Sequence, residues 1–109
     1  MATHFEAYDV SVQLISSLCD PIAVIARHDP DLARQLRRAA TSVPLNLREG
    51  NRRAGRDRLH LFRVAAGSVA EVLAGLEVAT AWRYLGVDTV APALGLADRV
   101  AAMLWRLTR

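Results

Sequence analysis

The sequence predicts an all-α protein, an up-and-down four-helix bundle formed by one domain over residues 1–109. Apolar residues recur at intervals of three and four along the chain, and no stretch shows the sustained alternation of a β-strand. Asp29-Pro30, Gly50 and Gly86 divide this helical pattern into segments. We therefore expect helices at about residues 4–28, 30–49, 56–85 and 89–108.

The first helix is predicted from apolar residues at strict three-four spacing. Asp20-Pro21 interrupts the segment, so either a kink or a restart with Asp20 as the cap is expected there. The single cysteine, Cys19, has no partner for an internal disulfide and is expected to pack inertly in the apolar seam. That predicted seam consists of Phe5, Tyr8, Val12, Ile15, Cys19, Ile22 and Ala26.

The second helix has the clearest start signal. Asp29-Pro30-Asp31 combines a capping side chain, a proline at the first helical position and an acid in the first turn. Gly50 is predicted to end the helix. Its core face is expected to consist of Leu32, Leu36, Ala40, Val43 and Leu47.

The third helix carries two apolar seams, and the fourth repeats this doubling. Because a small four-helix monomer offers only one interior, the second seam predicts self-association. The alternative, in which a wide seam fills a broad core, remains open. One seam of the third helix consists of Leu59, Phe62, Ala66, Val69, Leu73, Leu76 and Thr80. The other, the predicted oligomer interface, consists of Leu61, Ala65, Ser68, Val72, Gly75, Ala79 and Trp82.

Composition and chain start predict a cytoplasmic protein. A lone cysteine favours a reducing compartment. The residues after Met1 lack the basic and then apolar order of a signal peptide. Charged residues interrupt the longest apolar region, residues 59–85, so no membrane span is expected.

Charge is concentrated in the middle of the chain. All fourteen basic residues are arginine. Residues 34–63 hold nine arginines against two acids, a net charge of +7, whereas the rest of the chain has five arginines against nine acids, a net charge of −4. A basic centre of this kind favours a polyanionic partner.

At about 100° per residue, five arginines of the second helix fall opposite its core face. With two neighbouring arginines they form what we call the arginine ridge, which is predicted to contact the backbone of RNA or DNA. The alternative partner is an acidic protein surface. No aromatic residue is interleaved with the ridge, so base stacking on it is not predicted. The ridge consists of Arg34, Arg37, Arg38, Arg48, Arg52, Arg53 and Arg56.

The flank of the ridge carries polar residues, which are interpreted as a structural polar layer rather than a catalytic site. Asp57-x-x-His60 is half of a di-iron motif without its matching half, and the Arg53 and His60 pair only loosely resembles a helical ribonuclease motif. We therefore predict no enzyme activity, no metal and no cofactor. The predicted polar layer consists of Gln35, Ser42, Asn46, Glu49 and Glu71.

The block from Gln35 to Gly50 closely resembles the signature of bacterial four-helix-bundle proteins named for intervening sequences in large-subunit ribosomal RNA genes. Ala66-Gly67-Ser68 with Glu71 resembles the third-helix motif of that family. The resemblance implies a homopentameric, barrel-like assembly. It also implies a relation to the accessory proteins of diversity-generating retroelements, which join a reverse transcriptase to nucleic acid. Arg48 stands where family members usually carry a small residue, and it extends the ridge.

Overall fold

Four long helices account for the elongated shape of the chain in the computed structural model, which describes residues 5–109 and measures 42 × 24 × 19 Å. The helices are α1 (Glu6–His28), α2 (Pro30–Asn51), α3 (Gly55–Ala81) and α4 (Val87–Leu107). α2 packs on α1 and α3, and α4 packs on α3 and α1. Short connections make sequential helices antiparallel. The predicted all-α four-helix bundle is confirmed.

The start of α2 follows from local chemistry. The side chain of Asp29 accepts a hydrogen bond from the Leu32 backbone N–H at 3.0 Å, and Pro30 occupies the first turn. α1 runs through Pro21 without a break, so the expected alternative of a restart at Asp20 is wrong. The predicted start of the first helix at residue 4 lies outside the described residues.

Neither of the two glycines predicted to end a helix does so. α2 continues through Gly50 to Asn51, and Gly50 is buried because the Phe62 ring packs on it. A Cβ added at Gly50 would lie 2.7 Å from Cε1 of Phe62, so any larger residue would force the Phe62 ring to move. α3 ends at Ala81, before Gly86, because Arg83 takes a left-handed φ of 65° that a continuing helix does not permit.

The buried face of α1 differs from the predicted seam. Val12 is 41% exposed and Cys19 is also exposed, so the expectation that Cys19 is packed inertly in the core is wrong. The reason is that apolar residues cover most of the circumference of α1, and the large aliphatic side chains decide which side faces inward. The residues that α1 buries are Ala7, Val10, Ser11, Leu14, Leu18, Pro21, Ile22 and Ile25.

Both seams of α3 contribute to the interior of one chain. Ala65, Val72 and Ala79 are 0% exposed, so they cannot form the subunit contact predicted for them. Ser68 is buried and Leu61 half-buried, while Trp82 is 68% exposed at the helix end. The alternative of a wide seam in a broad core therefore describes this helix. The predicted face was wrong because α3 contacts both α2 and α4.

Gly75 also belongs to the chain's own core. A Cβ at Gly75 would lie 2.5 Å from Cδ2 of Leu36, so this glycine allows the close approach of α2 and α3. Leu36, Val43 and Leu47 of α2 are at most 1% exposed, as predicted for its core face.

Two helices of the described chain, α1 and α3, are long and apolar enough by composition to cross a bilayer, each with a mean hydropathy of 1.4 over its best window. Core helices of bundles meet the same criterion, because they too carry a continuous apolar face. Here both helices bury that face against their neighbours. The absence of a membrane span remains a prediction.

Candidate nucleic-acid interface

All seven residues of the arginine ridge are exposed, and those on α2 lie opposite its buried face. The amphipathic pattern explains this placement. Leu36, Val43 and Leu47 turn one side of α2 toward α1 and α3, which leaves its arginines on the solvent side. The α2 arginines of the ridge therefore share one side of the helix, with Arg34, Arg37 and Arg38 near its start and Arg48 near its end.

Three ridge arginines pair with acids of their own chain. Arg34 forms a hydrogen-bonded ion pair with Asp31. Glu49 accepts a hydrogen bond from Arg53 and lies 3.6 Å from the Arg52 guanidinium, with its closest contact to Arg53 at 2.8 Å. Such exposed pairs contribute about 0–1 kcal/mol each, and they leave the guanidinium groups open to a competing anion.

Arg48 is held by an aromatic ring. Its guanidinium carbon lies 4.3 Å from the ring centroid of Tyr8 on α1, within the range of a cation–π contact. This contact orients Arg48 and ties the ridge to α1. In contrast, Arg37, Arg38 and Arg56 have no hydrogen-bond or ion-pair partner within residues 5–109. Their donors are directly available to a ligand.

A shallow concavity, here called the outer groove, runs along the solvent side of α2 with a volume of about 490 Å³. Leu45, 63% exposed, lies among its arginines. A large aliphatic side chain at this place gives the basic surface an apolar centre. The lining residues are Arg34, Arg37, Arg38, Thr41, Ser42, Leu45 and Asn46.

The polar layer is smaller than predicted. The Asn46 amide donates to the Ser42 carbonyl at 2.8 Å and to its hydroxyl at 2.9 Å, and the Ser68 hydroxyl donates to that of Ser42 at 2.8 Å. The Ser68–Ser42 bond links α2 to α3, whereas the two bonds of Asn46 lie within α2. Gln35 and Glu71 are exposed and do not join this network in the described chain, while Glu49 binds arginines instead. The prediction of a polar layer was wrong for these three, because Gln35 and Glu71 are exposed to solvent and Glu49 pairs with Arg52 and Arg53.

Gln35 and Glu71 instead line a second concavity between α2 and α3, here called the inter-helix groove, of about 280 Å³. Arg38 lines it too and is therefore shared between this groove and the arginine ridge. The lining residues are Gln35, Arg38, Ala39, Ser42, Ser68 and Glu71.

Aromatic side chains cluster where α3 ends. The rings of His28 and Tyr84 stack with centroids 5.1 Å apart, and the Trp82 ring lies nearly parallel to Tyr84 at 6.4 Å. The Tyr84 hydroxyl donates to the Asp29 carboxylate at 3.2 Å. Partial burial, this hydrogen bond and the negative charge of Asp29 together raise the pKa of Tyr84 above 10.0.

The rejected catalytic patterns remain without support from geometry. Arg53 reaches Glu49 and, at 3.9 Å, Asp57, and His60 is exposed. Among residues 5–109 there is no group of three histidine, cysteine, aspartate or glutamate side chains placed to hold a metal ion.

The fold and its basic face define a small four-helix-bundle protein with a cationic outer surface. A sequence model of the 23S rRNA-intervening sequence protein family matches residues 4–106, and the chain belongs to this family. A crystal structure of a protein of unknown function from the S23 ribosomal protein family of Bacteroides thetaiotaomicron has the same fold. It superposes with a TM-score of 0.85 at 16% identity, over 94% of this chain and 98% of that one. No curated protein matches the chain.

Sequence reasoning missed three features of this surface. Leu45 was not expected to be exposed within the ridge, although its position 90° or more from the apolar residues of α2 was a usable signal. The proximity of Cys19 to Arg37, which line one small pocket, depends on how α1 and α2 pack. The Trp82 and Tyr84 contact arises from the left-handed turn at Arg83.

Proposed function

We propose that this protein is a non-enzymatic, homo-oligomeric helical bundle that binds nucleic acid through the arginine ridge. The observation that carries the proposal is the exposure of all seven ridge arginines on and beside one helix. Guanidinium groups stay charged and donate paired hydrogen bonds to phosphate oxygens. Arg37, Arg38 and Arg56 supply donors that no described residue occupies.

The mode of binding follows from the side chains present. Arginines along a helix contact phosphates, which fixes position without reading sequence. Each phosphate that is neutralised releases counterions, so the affinity falls as salt rises. RNA and DNA both present the required phosphates.

We further propose that self-association uses the outer face of α3 in place of the predicted seam. This outer face, the side of α3 turned away from the bundle interior, carries several exposed small or apolar residues beside the charged Arg63 and Glu77. Glu71 lies at its edge toward α2, where it lines the inter-helix groove, and stays outside the proposed contact. Exposed patches of this kind favour a protein contact. The resemblance to pentameric family members favours five subunits, which would present five copies of the ridge. The residues of this face are Gly67, Ala70, Ala74, Val78 and Ala81.

An accessory role is the biological form that the resemblance favours. In that role the assembly holds nucleic acid for a partner protein such as a reverse transcriptase. The arginine ridge supplies the nucleic-acid contact, and other surfaces are left for the partner.

A second candidate function is a scaffold that binds an acidic protein surface. The exposed Leu45 favours it, because an apolar side chain among arginines suits an acidic amphipathic helix better than a sugar-phosphate backbone. In this function the same ridge pairs with carboxylates.

Binding to labelled nucleic acid tests the first proposal. Fluorescence anisotropy with a random-sequence duplex and a single strand, across a salt series, should show binding whose log affinity falls linearly with log salt. Absence of binding at low salt would refute it.

Leu45→Asn separates the two functions. If the ridge binds nucleic acid, this variant should keep the affinity of the parent, because Leu45 carries no charge. If the ridge binds an acidic amphipathic peptide, affinity for such a peptide should fall by roughly 10- to 150-fold, since burying a leucine contributes roughly 1.5–3 kcal/mol.

A further inference from the structure

The inter-helix groove contains a negatively charged side chain, which a surface that binds only phosphate groups does not need. Glu71 lines it from α3, is exposed, and has no ion-pair or hydrogen-bond partner among residues 5–109. A carboxylate at this place repels a phosphate backbone, which weakens binding unless the carboxylate itself accepts hydrogen bonds from the ligand.

The groove presents complementary hydrogen-bonding groups on its two sides. Glu71 offers two acceptor oxygens from α3, whereas Arg38 offers donors from α2. These two side chains line the same groove without forming an ion pair in the described chain, so both remain available to a ligand. Gln35 adds an amide that both donates and accepts.

The remaining polar groups of the groove are already satisfied. The hydroxyls of Ser42 and Ser68 bond to each other at 2.8 Å, and Asn46 donates to Ser42. They form a fixed base for the groove rather than free ligand contacts. The free groups are therefore a carboxylate, a guanidinium and an amide around about 280 Å³.

Guanine has the edge that fits this arrangement. Its N1–H and N2–H donors lie side by side and can meet both oxygens of one carboxylate, while the adjacent O6 accepts from a guanidinium. The other bases offer a carboxylate only one donor position on this edge. Because base pairing occupies the same edge, the guanine must be unpaired.

Arg38 connects this site to the arginine ridge, since it lines the outer groove as well. We propose that the inter-helix groove binds an unpaired guanine base of a strand whose phosphates lie on the ridge. The carboxylate of Glu71 accepts from N1–H and N2–H, and Arg38 donates to O6. This inference rests on the proposed nucleic-acid function.

The first experiment compares strands that differ only at the base. Pyrimidine oligonucleotides with isolated guanines are compared with the same strands carrying inosine, which lacks the 2-amino group, in lithium salts that disfavour guanine quadruplexes. The parent should prefer guanine by roughly fivefold or more, the lower limit for a bidentate base contact. The test is run with RNA and with DNA, since both contain this base.

Glu71→Gln distinguishes the proposed guanine contact from electrostatic repulsion alone. Removal of a negative charge from a polyanion-binding surface strengthens binding to every strand if electrostatics acts alone. The proposal instead predicts that the variant loses the preference for guanine over inosine. Glu77→Gln is the matched control, because Glu77 is an exposed acid of α3 that does not line the groove. It should retain the preference.

The outcomes separate this inference from the function on which it rests. Equal affinity for guanine and inosine strands would overturn the guanine site and leave the ridge proposal intact, as would a Glu71→Gln variant that keeps the preference. Failure of the parent to bind any strand would refute the ridge proposal itself. Circular dichroism checks folding, which should not change because Glu71 is exposed and unbonded within the described chain.

Discussion

The outer faces of α2 and α3 are both exposed to solvent, yet they differ in chemistry. The arginine ridge dominates the face of α2, where Arg37 and Arg38 have no partner among the described residues. The face of α3 instead carries mainly glycine, alanine and valine, with Val78 44% exposed, and Glu71 lies at its edge toward α2. Two adjacent helices that share one core therefore present opposite surfaces to the outside.

This difference suggests a division of roles. Burying unpaired arginines in a dry subunit contact costs several kcal/mol per ion, so the face of α2 suits a hydrated polyanion. An apolar helix face gains free energy from leaving water and suits a second protein copy. The core residues of both helices explain the fold, and only the outward residues distinguish these roles.

The largest expected effect contrasts neighbouring positions on α3. Ala79→Glu buries a carboxylate at a site that is 0% exposed, so it should lower the free energy of unfolding by about 3–5 kcal/mol. Val78→Glu lies on the outer face and should dissociate the proposed oligomer while leaving the helices folded. Circular dichroism and light scattering after size exclusion measure the two effects. A folded monomer for the parent would contradict the role given to α3.

A smaller effect on stability is expected when alanine replaces either of two glycines, and the two changes should differ in sign. Gly50→Ala on α2 places a Cβ 2.7 Å from the Phe62 ring and should destabilise by roughly 1–3 kcal/mol. Gly67→Ala on α3 meets no atom within 4 Å and should stabilise the single chain by roughly 0.5–1 kcal/mol. Urea unfolding gives both values. Equal effects of the two substitutions would show that helix contacts are not as described.

The side-chain hydrogen bonds that Asn46 makes within α2 should contribute less to stability. Asn46→Ala removes two hydrogen bonds to Ser42 and should cost about 1 kcal/mol. Gln35→Ala, on the same helix but exposed and unbonded in the described chain, should change stability by less than about 0.5 kcal/mol. The melting temperatures of the two variants test this. A larger loss for Gln35→Ala would restore it to the polar layer.

The smallest effect depends on pH. Because the folded pKa of Tyr84 is raised above 10.0, the folded state favours the neutral phenol. This contribution to stability is fully present below pH 10 and is lost as pH rises through the folded pKa. Tyr84→Phe should be less stable than the parent at pH 8, and the difference should shrink above pH 10. Urea unfolding between pH 8 and 11 measures it, and a constant difference would contradict the Asp29 contact.

The sequence predicted the core of α2 well because its apolar residues, apart from Leu45, occupy one side. α1 and α3 were harder to predict. Apolar residues surround much of α1, so spacing alone did not show that Leu14 and Leu18 face inward while Cys19 does not. The two seams of α3 suggested two partners, but periodicity cannot say whether those partners belong to the same chain.

The candidate site was also predictable only in part. Contacts along one helix follow from the sequence, whereas contacts between helices do not. Helical spacing placed the ridge arginines on one side, and the i,i+4 spacing of Glu49 and Arg53 also indicates their ion pair. The contact of Arg48 with Tyr8 joins residues far apart in sequence and depends on how α1 packs on α2. The inter-helix groove depends in the same way on the packing of α2 against α3.

The salt dependence of binding tests the central claim most directly. Arg37→Gln/Arg38→Gln removes two charges from the ridge, whereas Arg99→Gln/Arg106→Gln removes two exposed charges from α4. With duplex DNA, the ridge variant should bind more weakly, and its slope of log affinity against log salt should be shallower by about 1.8, from roughly 0.9 per phosphate contact. The α4 variant should keep nearly the parental slope. Equal slopes for the two variants would contradict the assignment of nucleic-acid binding to the ridge.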